Sequence, residues 1–343
     1  MKSFANPALE KLQVYTFPFK ATGIYVKRED LKSHPDAPLI VGNKYRKLQF
    51  FLEQSEDYWA NKLIVSYGGV QSNSMNALSL LSYYKKIPFV YFTPRIPKDL
   101  LSIKVGNFHR SSVRGMSCYQ LEKQNFEIVQ KYNTLEGTLS SLLNQLDTPA
   151  ISEELNILGK KEMIFVKQGG ADHYAEFGLI KLAEELNQIA SIIGEKITVI
   201  LPAGTGTTAM YLGKYFSTNQ INGINIAPIP CVGNNKYLKQ QMNELEDVEK
   251  IVSLSFLNDS WIHTHPFASV NKDDFTIWKQ LKQDFGIEFD LIYAPRCWRT
   301  LSTNFSELTT IFGSKILYLH TGGAEGNDSQ LLRYISNKEY FSN

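Results

Sequence analysis

The sequence predicts an α/β protein with two lobes, each built on a central, mostly parallel sheet flanked by helices. Two observations carry this prediction. Short β-branched and aromatic runs recur along the chain, each ending in Gly, Pro or Asn before a longer amphipathic stretch, as parallel βα units do. The chain has 343 residues, which is enough for two lobes of roughly 100–200 residues each.

The elements follow from apolar patterning. Several apolar runs are nearly continuous, as in strands covered on both faces. The predicted strands are Lys62–Tyr67, Pro88–Phe92, Met163–Lys167, Ile197–Pro202, Ile224–Pro230, Asp290–Tyr293 and Lys315–His320. The clearest helix follows Glu176, where five apolar residues recur on one face and the charged residues lie off that stripe. The apolar residues are Leu179, Leu182, Leu186, Ile189 and Ile193, and the charged ones are Lys181, Glu184 and Glu185.

Domain boundaries are expected at two weaker signals. The polar stretch 145–154 precedes a fresh βα series, and the loop 33–38 precedes a Gly-Asn-Lys motif. Together they predict a large domain of residues 1–50 and 155–343, with a small α/β domain of residues 51–154 inserted into it. We expect a ligand cleft between the two lobes.

Composition excludes several classes of function. The chain has 36 Lys and Arg against 34 Asp and Glu, a net charge of +2, so no basic field draws it to nucleic acid or an anionic membrane. The three cysteines, Cys118, Cys231 and Cys297, are too widely separated for a CxxC motif, and their odd number excludes a disulfide framework. Without a secretory signal or an apolar run of ~18 residues, the chain is expected to be a cytoplasmic protein with a small-molecule partner.

A Gly/Thr-rich turn predicts an anion site. Gly204, Thr205, Gly206, Thr207 and Thr208 follow an apolar strand and open a helix, which presents backbone N–H groups and hydroxyls to a phosphate. The letters also fit the dinucleotide pattern GxGxxA. However, the acidic residue expected about 20 positions later is missing from 221–235. A phosphate ester is therefore favoured over a nucleotide as the ligand. The alternative is that this segment is an ordinary βα turn that binds nothing.

The motif Gly42–Leu48, GNKYRKL, enters a predicted helix. Lys44 and Lys47 share one face at i and i+3. A lysine that is desolvated or near other cations loses its proton readily and can form a Schiff base, while a second cation could hold an anion of the same ligand. On composition alone, two solvated surface lysines are the favoured interpretation.

A third motif, Ser66–Ser74, reads SYGGVQSNS and follows the strand at Lys62. Its glycines permit close backbone approach, and Gln71, Ser72 and Asn73 offer donors for a carboxylate or a phenolic oxygen. Capping of the next helix by Ser72 or Asn73 is an equally good account, and it does not exclude binding. The spacing does not fit the nucleophile elbow of hydrolases.

Other residues give weaker signals. His263 and His265 alternate on a possible strand, but no third ligand is evident, so no metal site is predicted. His320 and the three cysteines are expected to be packed residues, although Cys297 lies close in sequence to Tyr293 and could reach a pocket.

Six motifs together resemble a family. They are KREDL (27–31), GNKYRKL (42–48), YGGVQSN (67–73), QGG (168–170), AGTGTT (203–208) and HTGG (320–323). Their types and order resemble the 1-aminocyclopropane-1-carboxylate deaminase and D-cysteine desulfhydrase family of fold-type-II pyridoxal-phosphate enzymes, over nearly the whole chain. The resemblance implies this fold, the cofactor pyridoxal 5'-phosphate, a small amino-acid substrate and a homodimer.

The resemblance also implies residue roles. Lys44 resembles the lysine that holds the cofactor and moves the Cα proton, and Lys47 resembles a phosphate ligand. Asn73 would bind the cofactor's phenolic oxygen, and Ser72 would bind the substrate carboxylate. The loop Gly204–Thr208 would hold the phosphate. Thr321 would close the pocket near the pyridine ring, and Tyr293 would stack or act near the substrate.

Departures from the family's pattern concern the reaction. Ala294, Pro295 and Arg296 follow Tyr293 where the family usually has Glu or Thr, then Gly and Lys, so the side-chain partner of the ring nitrogen is absent. Phe267 replaces a second active-site tyrosine, and Ser74 stands where Gln or His is commoner.

The prediction is therefore a pyridoxal-phosphate-dependent lyase or deaminase that gives an α-keto acid and ammonia, with β-elimination on a D-amino acid slightly preferred over cyclopropane opening. The alternatives are a cofactor-binding member that has lost turnover and, less favoured, an NAD-dependent oxidoreductase.

Overall fold

A computed structural model of the chain describes residues 6–20, 22–134, 136–146, 153–263 and 265–337. The strands within these ranges are β1 (Val14–Phe19), β2 (Thr22–Arg28), β3 (Ser33–His34), β4 (Ala37–Val41), β5 (Lys62–Tyr67), β6 (Phe89–Thr93), β7 (Met116–Gln120), β8 (Glu136–Thr138), β9 (Glu162–Val166), β10 (Ile197–Ala203), β11 (Ile224–Pro230) and β12 (Ile316–His320).

The helices within the described ranges are α1 (Pro7–Lys11), α2 (Gly42–Leu52), α3 (Glu56–Trp59), α4 (Asn73–Lys85), α5 (Gly106–Val113), α6 (Lys123–Lys131), α7 (Leu139–Leu143), α8 (Glu153–Leu158), α9 (Ala175–Ile193), α10 (Thr207–Thr218), α11 (Asn235–Asn243), α12 (Lys272–Phe285), α13 (Ala294–Thr303), α14 (Phe305–Phe312) and α15 (Asn327–Ser336).

The chain divides into two compact units. The first comprises Met1–Ser33, Val41–Gln49 and His173–Asn343, and the second comprises His34–Ile40 and Phe50–Asp172. The sequence placed the return to the larger unit at residue 155. The structure places it at His173, because β9 pairs in parallel with β5 and so completes the sheet of the second unit. The polar stretch taken as a boundary lies partly outside the described residues.

The first unit has a five-stranded sheet in the order β1-β2-β12-β10-β11, parallel except for β1. Both faces are covered. Along β10, Val199 and Leu201 join a core with α9 and α10, whereas Ile200 joins a core with α12, α13 and α14 on the other face. This two-sided burial explains why the strand reads as one apolar run.

The second unit has its own five-stranded sheet, in the order β7-β6-β5-β9-β8, antiparallel only at β8. Leu63, Val65 and Tyr67 of β5 pack in one core with residues of α6, α7 and α8. Helix α4 lies against β5 and β6. The predicted fold class, two mostly parallel sheets flanked by helices, is therefore confirmed.

One predicted strand is wrong. Asp290–Tyr293 is a bent segment that leads into α13. The buried carboxylate of Asp290 accepts hydrogen bonds from the backbone N–H groups of Ile292 (3.0 Å), Tyr293 (2.5 Å) and Ala294 (3.2 Å). These bonds satisfy the donors at the start of the helix and curl the backbone away from a strand.

Candidate active site

The loop that joins β10 to α10 presents a cluster of hydroxyls at a helix N-terminus. Gly206 adopts φ +73°, and a Cβ atom there would lie 2.4 Å from Cγ of Met242, so only glycine fits. The hydroxyls of Thr205 and Thr207 lie 2.8 Å apart. Since the first N–H groups of a helix lack partners within it, this loop can hold an anion.

The N-terminus of α2 is fastened to this loop and to the segment after β12. Gly42 has φ +63°, and a Cβ atom there would lie 2.5 Å from the carbonyl oxygen of Thr321. The backbone N–H of Asn43 donates to that same oxygen at 2.9 Å. The hydroxyl of Thr208 donates to Oδ1 of Asn43 at 2.7 Å. Three predicted site segments, around Lys44, Thr208 and Thr321, are thus brought together within the first unit.

Lys44 and Lys47 are not the solvated surface lysines that composition favoured. Lys47 is 5% exposed and Lys44 is half-buried. Burial lowers the pKa of Lys44 to about 8, and the negative charge of Glu325 partly opposes that shift. A larger fraction of Lys44 is therefore the neutral, nucleophilic amine near neutral pH than of an ordinary lysine.

A buried charge cluster ties α2 to α9, and no local sequence pattern indicated it. Arg46 donates to Glu29 (Nε–Oε2 2.8 Å) and to Glu185 of α9 (Nη2–Oε1 2.7 Å). Lys27, which is fully buried, pairs with the same two carboxylates at 2.7 and 2.8 Å. Two buried cations thus balance two carboxylates, and Lys32 lies 4.0 Å from Glu185 at the edge of the cluster. Glu185 was expected off the buried stripe of its helix, yet it takes part in two of these pairs.

Tyr293 lies against the hydroxyl-rich loop. A Cβ atom on Gly204 would meet the ring and the phenolic oxygen of Tyr293 at 3.4 Å. Burial raises the pKa of the Tyr293 phenol, so the group stays protonated and can donate. The ring of Phe267 contacts the ring of Tyr293 edge-on, with centroids 5.3 Å apart. The next residue, Ala294, is buried at the start of α13.

His263 and His265 do not lie on a strand, so that expectation is wrong. His265 instead pairs through Nε2 with Asp274 of α12 at 2.8 Å and contacts Arg296. No group of three or more His, Cys, Asp or Glu side chains among the described residues is placed to hold a metal ion.

His320 is a packed residue, as expected. It stacks on Phe289 with centroids 4.4 Å apart, and its Nδ1 accepts from the backbone N–H of Gly322 at 3.3 Å. Burial lowers the pKa of His320 to about 4, so the ring is neutral at physiological pH. Cys231 and Cys297 are fully buried, and burial raises the pKa of each thiol, so neither is a reactive thiolate.

The remaining predicted residues lie in the second unit. Ser72 caps α4 by accepting from the backbone N–H groups of Ser74 (3.1 Å) and Met75 (3.3 Å). Asn73 is held by the side chain of Asn107, whose Nδ2 donates to its Oδ1 at 2.7 Å. The same Asn107 amide donates to the carbonyl of Gln71 at 3.1 Å. Sequence reasoning missed Asn107, because it lies more than thirty positions from the motif that it orders.

The residues of the first unit fit the predicted cofactor. Pyridoxal 5'-phosphate needs a site for a phosphate and an amine for its aldehyde. The loop offers the hydroxyls of Thr205 and Thr207 at the N-terminus of α10, and the hydroxyl of Thr208 anchors the loop to Asn43. Lys44 offers an amine with a lowered pKa. The donor set and the glycine-only turn at Gly206 therefore agree with a bound phosphate ester.

Two curated relatives match most of the chain. A Schizosaccharomyces pombe protein named "Probable 1-aminocyclopropane-1-carboxylate deaminase" is 26% identical over 312 residues, covering 88% of this chain and 86% of that protein. An Arabidopsis thaliana protein named "Bifunctional D-cysteine desulfhydrase/1-aminocyclopropane-1-carboxylate deaminase, mitochondrial" is 22% identical and covers 89% of this chain and 73% of that one. No family model matches the chain.

Solved structures give the fold. The crystal structure of an ACC deaminase homologue superposes with a TM-score of 0.65 at 19% identity, over 96% of this chain and 99% of the other. A pyridoxal 5'-phosphate-dependent aspartate racemase superposes with a TM-score of 0.53 at 14% identity, over 90% and 89% of the two chains. The fold is that of the fold-type-II pyridoxal-phosphate enzymes. The curated relatives, together with this fold, confirm the resemblance to the ACC deaminase and D-cysteine desulfhydrase family.

The similar structures are pyridoxal-phosphate enzymes and give no support to the NAD-dependent oxidoreductase alternative. The sequence also lacks, in 221–235, the acidic residue that dinucleotide binding requires. Within the described ranges, the structure contains no helix that is both long and apolar enough to cross a membrane.

Proposed function

We propose that this chain is a pyridoxal-phosphate-dependent enzyme that converts a small amino acid to an α-keto acid and ammonia, by elimination or deamination. The observation that carries the proposal is the placement of Lys44. Its amine has a pKa of about 8, and its neighbour Asn43 is hydrogen-bonded to Thr208 of the anion-holding loop. The named activities of the relatives agree with this reaction class.

In this proposal the first unit holds the cofactor. Lys44 binds the aldehyde carbon, and the loop 204–208 together with Lys47 binds the phosphate. Thr321 borders the ring. When bound, pyridoxal 5'-phosphate supplies an electron sink for the pair left behind when a bond to Cα breaks. With substrate in place, the amine of Lys44 would accept the Cα proton, and its lowered pKa suits it to act as that base.

The second unit contributes to substrate binding in the same proposal. Ser72 orients the substrate carboxylate, and Asn73 binds the phenolic oxygen of the cofactor. Support comes from the capping geometry, since Ser72 lies at the N-terminus of α4, where backbone donors favour a carboxylate. The amide of Asn107 fixes the side chain of Asn73.

The reaction favoured is β-elimination on a D-amino acid. For D-cysteine, the Cα–H bond and the Cβ–S bond break, Lys44 takes the proton, and sulfur leaves with the bonding pair. Addition of one water then gives pyruvate, ammonia and hydrogen sulfide. Phe267 offers no hydroxyl where cyclopropane opening would use a second acid, and this favours the simpler elimination.

The proposal extends to assembly and location. A homodimer in the cytoplasm is expected, and light scattering of the purified protein measures the assembly. The Arabidopsis relative is named as a mitochondrial protein, so fractionation of the source cells is the measurement for the compartment.

The test combines a spectrum with product analysis. Purified protein with added pyridoxal 5'-phosphate should show a visible absorption band that Lys44→Ala abolishes. The control Lys123→Ala, at a lysine that is 92% exposed, should keep the band. Pyruvate and ammonia should form from D-cysteine or β-chloro-D-alanine. A band without product from these or the cyclopropane amino acid would point to a cofactor-binding protein that has lost turnover.

A further inference from the structure

An exposed phenylalanine is held against Tyr293 by a turn that costs backbone strain. Phe267 is 45% exposed, yet its ring contacts Tyr293 with centroids 5.3 Å apart and planes at 61°. The next residue, Ala268, has φ +54°, in the left-handed region that non-glycine residues seldom occupy. Strain of this kind persists where surrounding contacts enforce it, and it clusters at functional sites.

Several hydrogen bonds enforce this turn. The carbonyl of Ala268 accepts from Nη1 of Arg333 at 2.5 Å and from Nε2 of Gln330 at 3.3 Å, both on α15. The backbone N–H of Ser269 donates to the carbonyl of Pro266 at 3.1 Å. The turn is thus hydrogen-bonded to α15 and is also closed by a backbone hydrogen bond of its own.

Arg296 ties the same turn to the helix that carries Tyr293. Its side chain is buried, and Nη2 donates to the carbonyls of His265 (2.7 Å) and Pro266 (2.8 Å). Nη1 donates to the carbonyl of Cys231 at 2.6 Å. One guanidinium therefore holds three carbonyls, two of them in the turn. Arg296 also lies three positions after Tyr293 on the same segment, so the two rings are fixed relative to each other.

We infer that Phe267 is a specificity-determining residue for the proposed reaction and that Arg296 positions it. Together they favour a substrate whose β-substituent is polarisable and leaves as a stable anion, such as a thiolate or a halide, over one that bears a hydroxyl. The inference rests on the proposed function, because it requires substrate to lie beside Tyr293. It adds to that function the residue that selects the leaving group.

The chemistry of the two rings supports this selection. Tyr293 is a single protonated donor, and Phe267 offers a ring without a donor or acceptor. Breaking the Cβ–X bond sends the electron pair to X. A thiol has a pKa of about 8.5, so its anion departs without an acid. Water is a far weaker acid than a thiol, so a hydroxyl needs a well-placed acid to leave. Sulfur also packs favourably against an aromatic ring, at the ring edge in particular.

A binding measurement tests the inference separately from turnover. S-methyl-D-cysteine and O-methyl-D-serine differ only in the atom attached to Cβ. Their dissociation constants can be read from the initial shift of the cofactor band by rapid mixing, before the thioether loses methanethiolate. The wild type should bind the thioether more tightly. Because a sulfur–ring contact is worth a fold-change of about five, Phe267→Ala should remove about that much of the preference. Phe177→Ala, at another exposed phenylalanine (39%), should leave the preference intact.

A turnover measurement tests the leaving-group argument. The ratio of kcat/KM for β-chloro-D-alanine to that for D-serine should fall by about tenfold or more in Phe267→Tyr, because the added hydroxyl supplies an acid to the poorer leaving group. The change should lie in kcat for D-serine rather than in KM.

The role of Arg296 is tested by a double-mutant comparison. Arg296→Met should lower the thioether preference by the same factor as Phe267→Ala, and the double variant should add nothing further, since both act through one ring. Arg296→Lys should restore part of the preference. Additive effects would assign Arg296 a merely structural role and overturn that part of the inference.

The outcomes separate the two proposals. Equal affinity of the wild type for the two analogues, or a preference unchanged in Phe267→Ala, overturns the inference while the cofactor band stands. If the wild type shows no turnover but its binding preference for the thioether still depends on Phe267, the proposed catalysis is contradicted and the role of Phe267 stands. Absence of the cofactor band removes both.

Discussion

Asn43 accepts a hydrogen bond from the hydroxyl of Thr208 at 2.7 Å, although 165 residues separate them. The bond joins the segment that carries Lys44 to the loop that would hold a phosphate. It fixes the distance between the amine of Lys44 and the anion-holding loop. A ligand that bears both an aldehyde and a phosphate requires such a fixed distance.

The first prediction removes that hydrogen bond. Thr208→Val keeps the shape and loses the hydroxyl, so both the unfolding free energy and the affinity for pyridoxal 5'-phosphate should fall, the affinity by about fivefold or more. The control is Thr198→Val. Thr198 is equally buried and donates to the carbonyl of Phe312 at 3.2 Å. That variant should lose stability alone, as urea denaturation and cofactor titration together would show. Equal losses of affinity in the two variants would contradict the prediction.

The second prediction concerns the titration of Lys44. Burial lowers its pKa to about 8, so in the cofactor-depleted protein its acylation rate should rise through a midpoint near that pH. The carboxylate of Glu325 raises this pKa by favouring the ammonium form. Glu325→Gln should therefore move the midpoint to lower pH. Peptide mass spectrometry after pulsed acylation measures it, with the exposed Lys123 as the internal reference. A midpoint that rises in the variant would contradict the assignment of sign.

The sequence predicted best those strands and helices whose bounds depend on local hydrophobic pattern. Strands β5 and β11 have the predicted bounds, because each is a mostly apolar run that is buried along nearly its whole length. Helix α9 was predicted from its apolar stripe. Strand β1 was not predicted. It contains Pro18 and lies at the edge of its sheet, where a proline is tolerated, as the prolines of the other edge strand, β11, are. Asp290–Tyr293 was mistaken for a strand because an apolar run masked the capping carboxylate at its start.

The candidate site shows the same division. The Gly/Thr pattern selected the loop 204–208, motif resemblance assigned roles to Lys44 and Tyr293, and the structure brings these together in the first unit. The ionic cluster of Lys27, Glu29, Arg46 and Glu185 could not be predicted from the sequence. Its members Arg46 and Glu185 are far apart in sequence, and nothing local distinguishes a buried charge from a solvated one.

The third prediction addresses that cluster. Arg46→Met leaves Glu29 with Lys27, and Glu185 with Lys27 and the more distant Lys32 at 4.0 Å, so the unfolding free energy should fall by about 3–5 kcal/mol. Arg46→Lys keeps the charge and should cost less. The control is Arg299→Met, since Arg299 pairs with an Asp273 that is 62% exposed, and breaking such a pair costs at most about 1 kcal/mol. Urea denaturation at constant pH and salt compares the three. Equal costs at Arg46 and Arg299 would show that the buried cluster contributes no more than a surface pair.

The last prediction separates the cost of a left-handed backbone from the cost of placing a Cβ atom inside the loop 204–208. Gly206 and Gly194 share the same φ of +73°, but a Cβ atom at Gly206 would lie 2.4 Å from Met242, whereas a Cβ atom at Gly194 would meet nothing within 4 Å. Gly194→Ala should therefore cost only the left-handed conformation, about 1–2 kcal/mol, and leave cofactor binding unchanged. Gly206→Ala carries the same strain and must also displace Met242, so it should cost more in stability and weaken cofactor binding. Thermal unfolding with and without pyridoxal 5'-phosphate measures both effects. If the cofactor raised the melting temperature of Gly206→Ala as much as that of Gly194→Ala, the loop at Gly206 would not be the phosphate site.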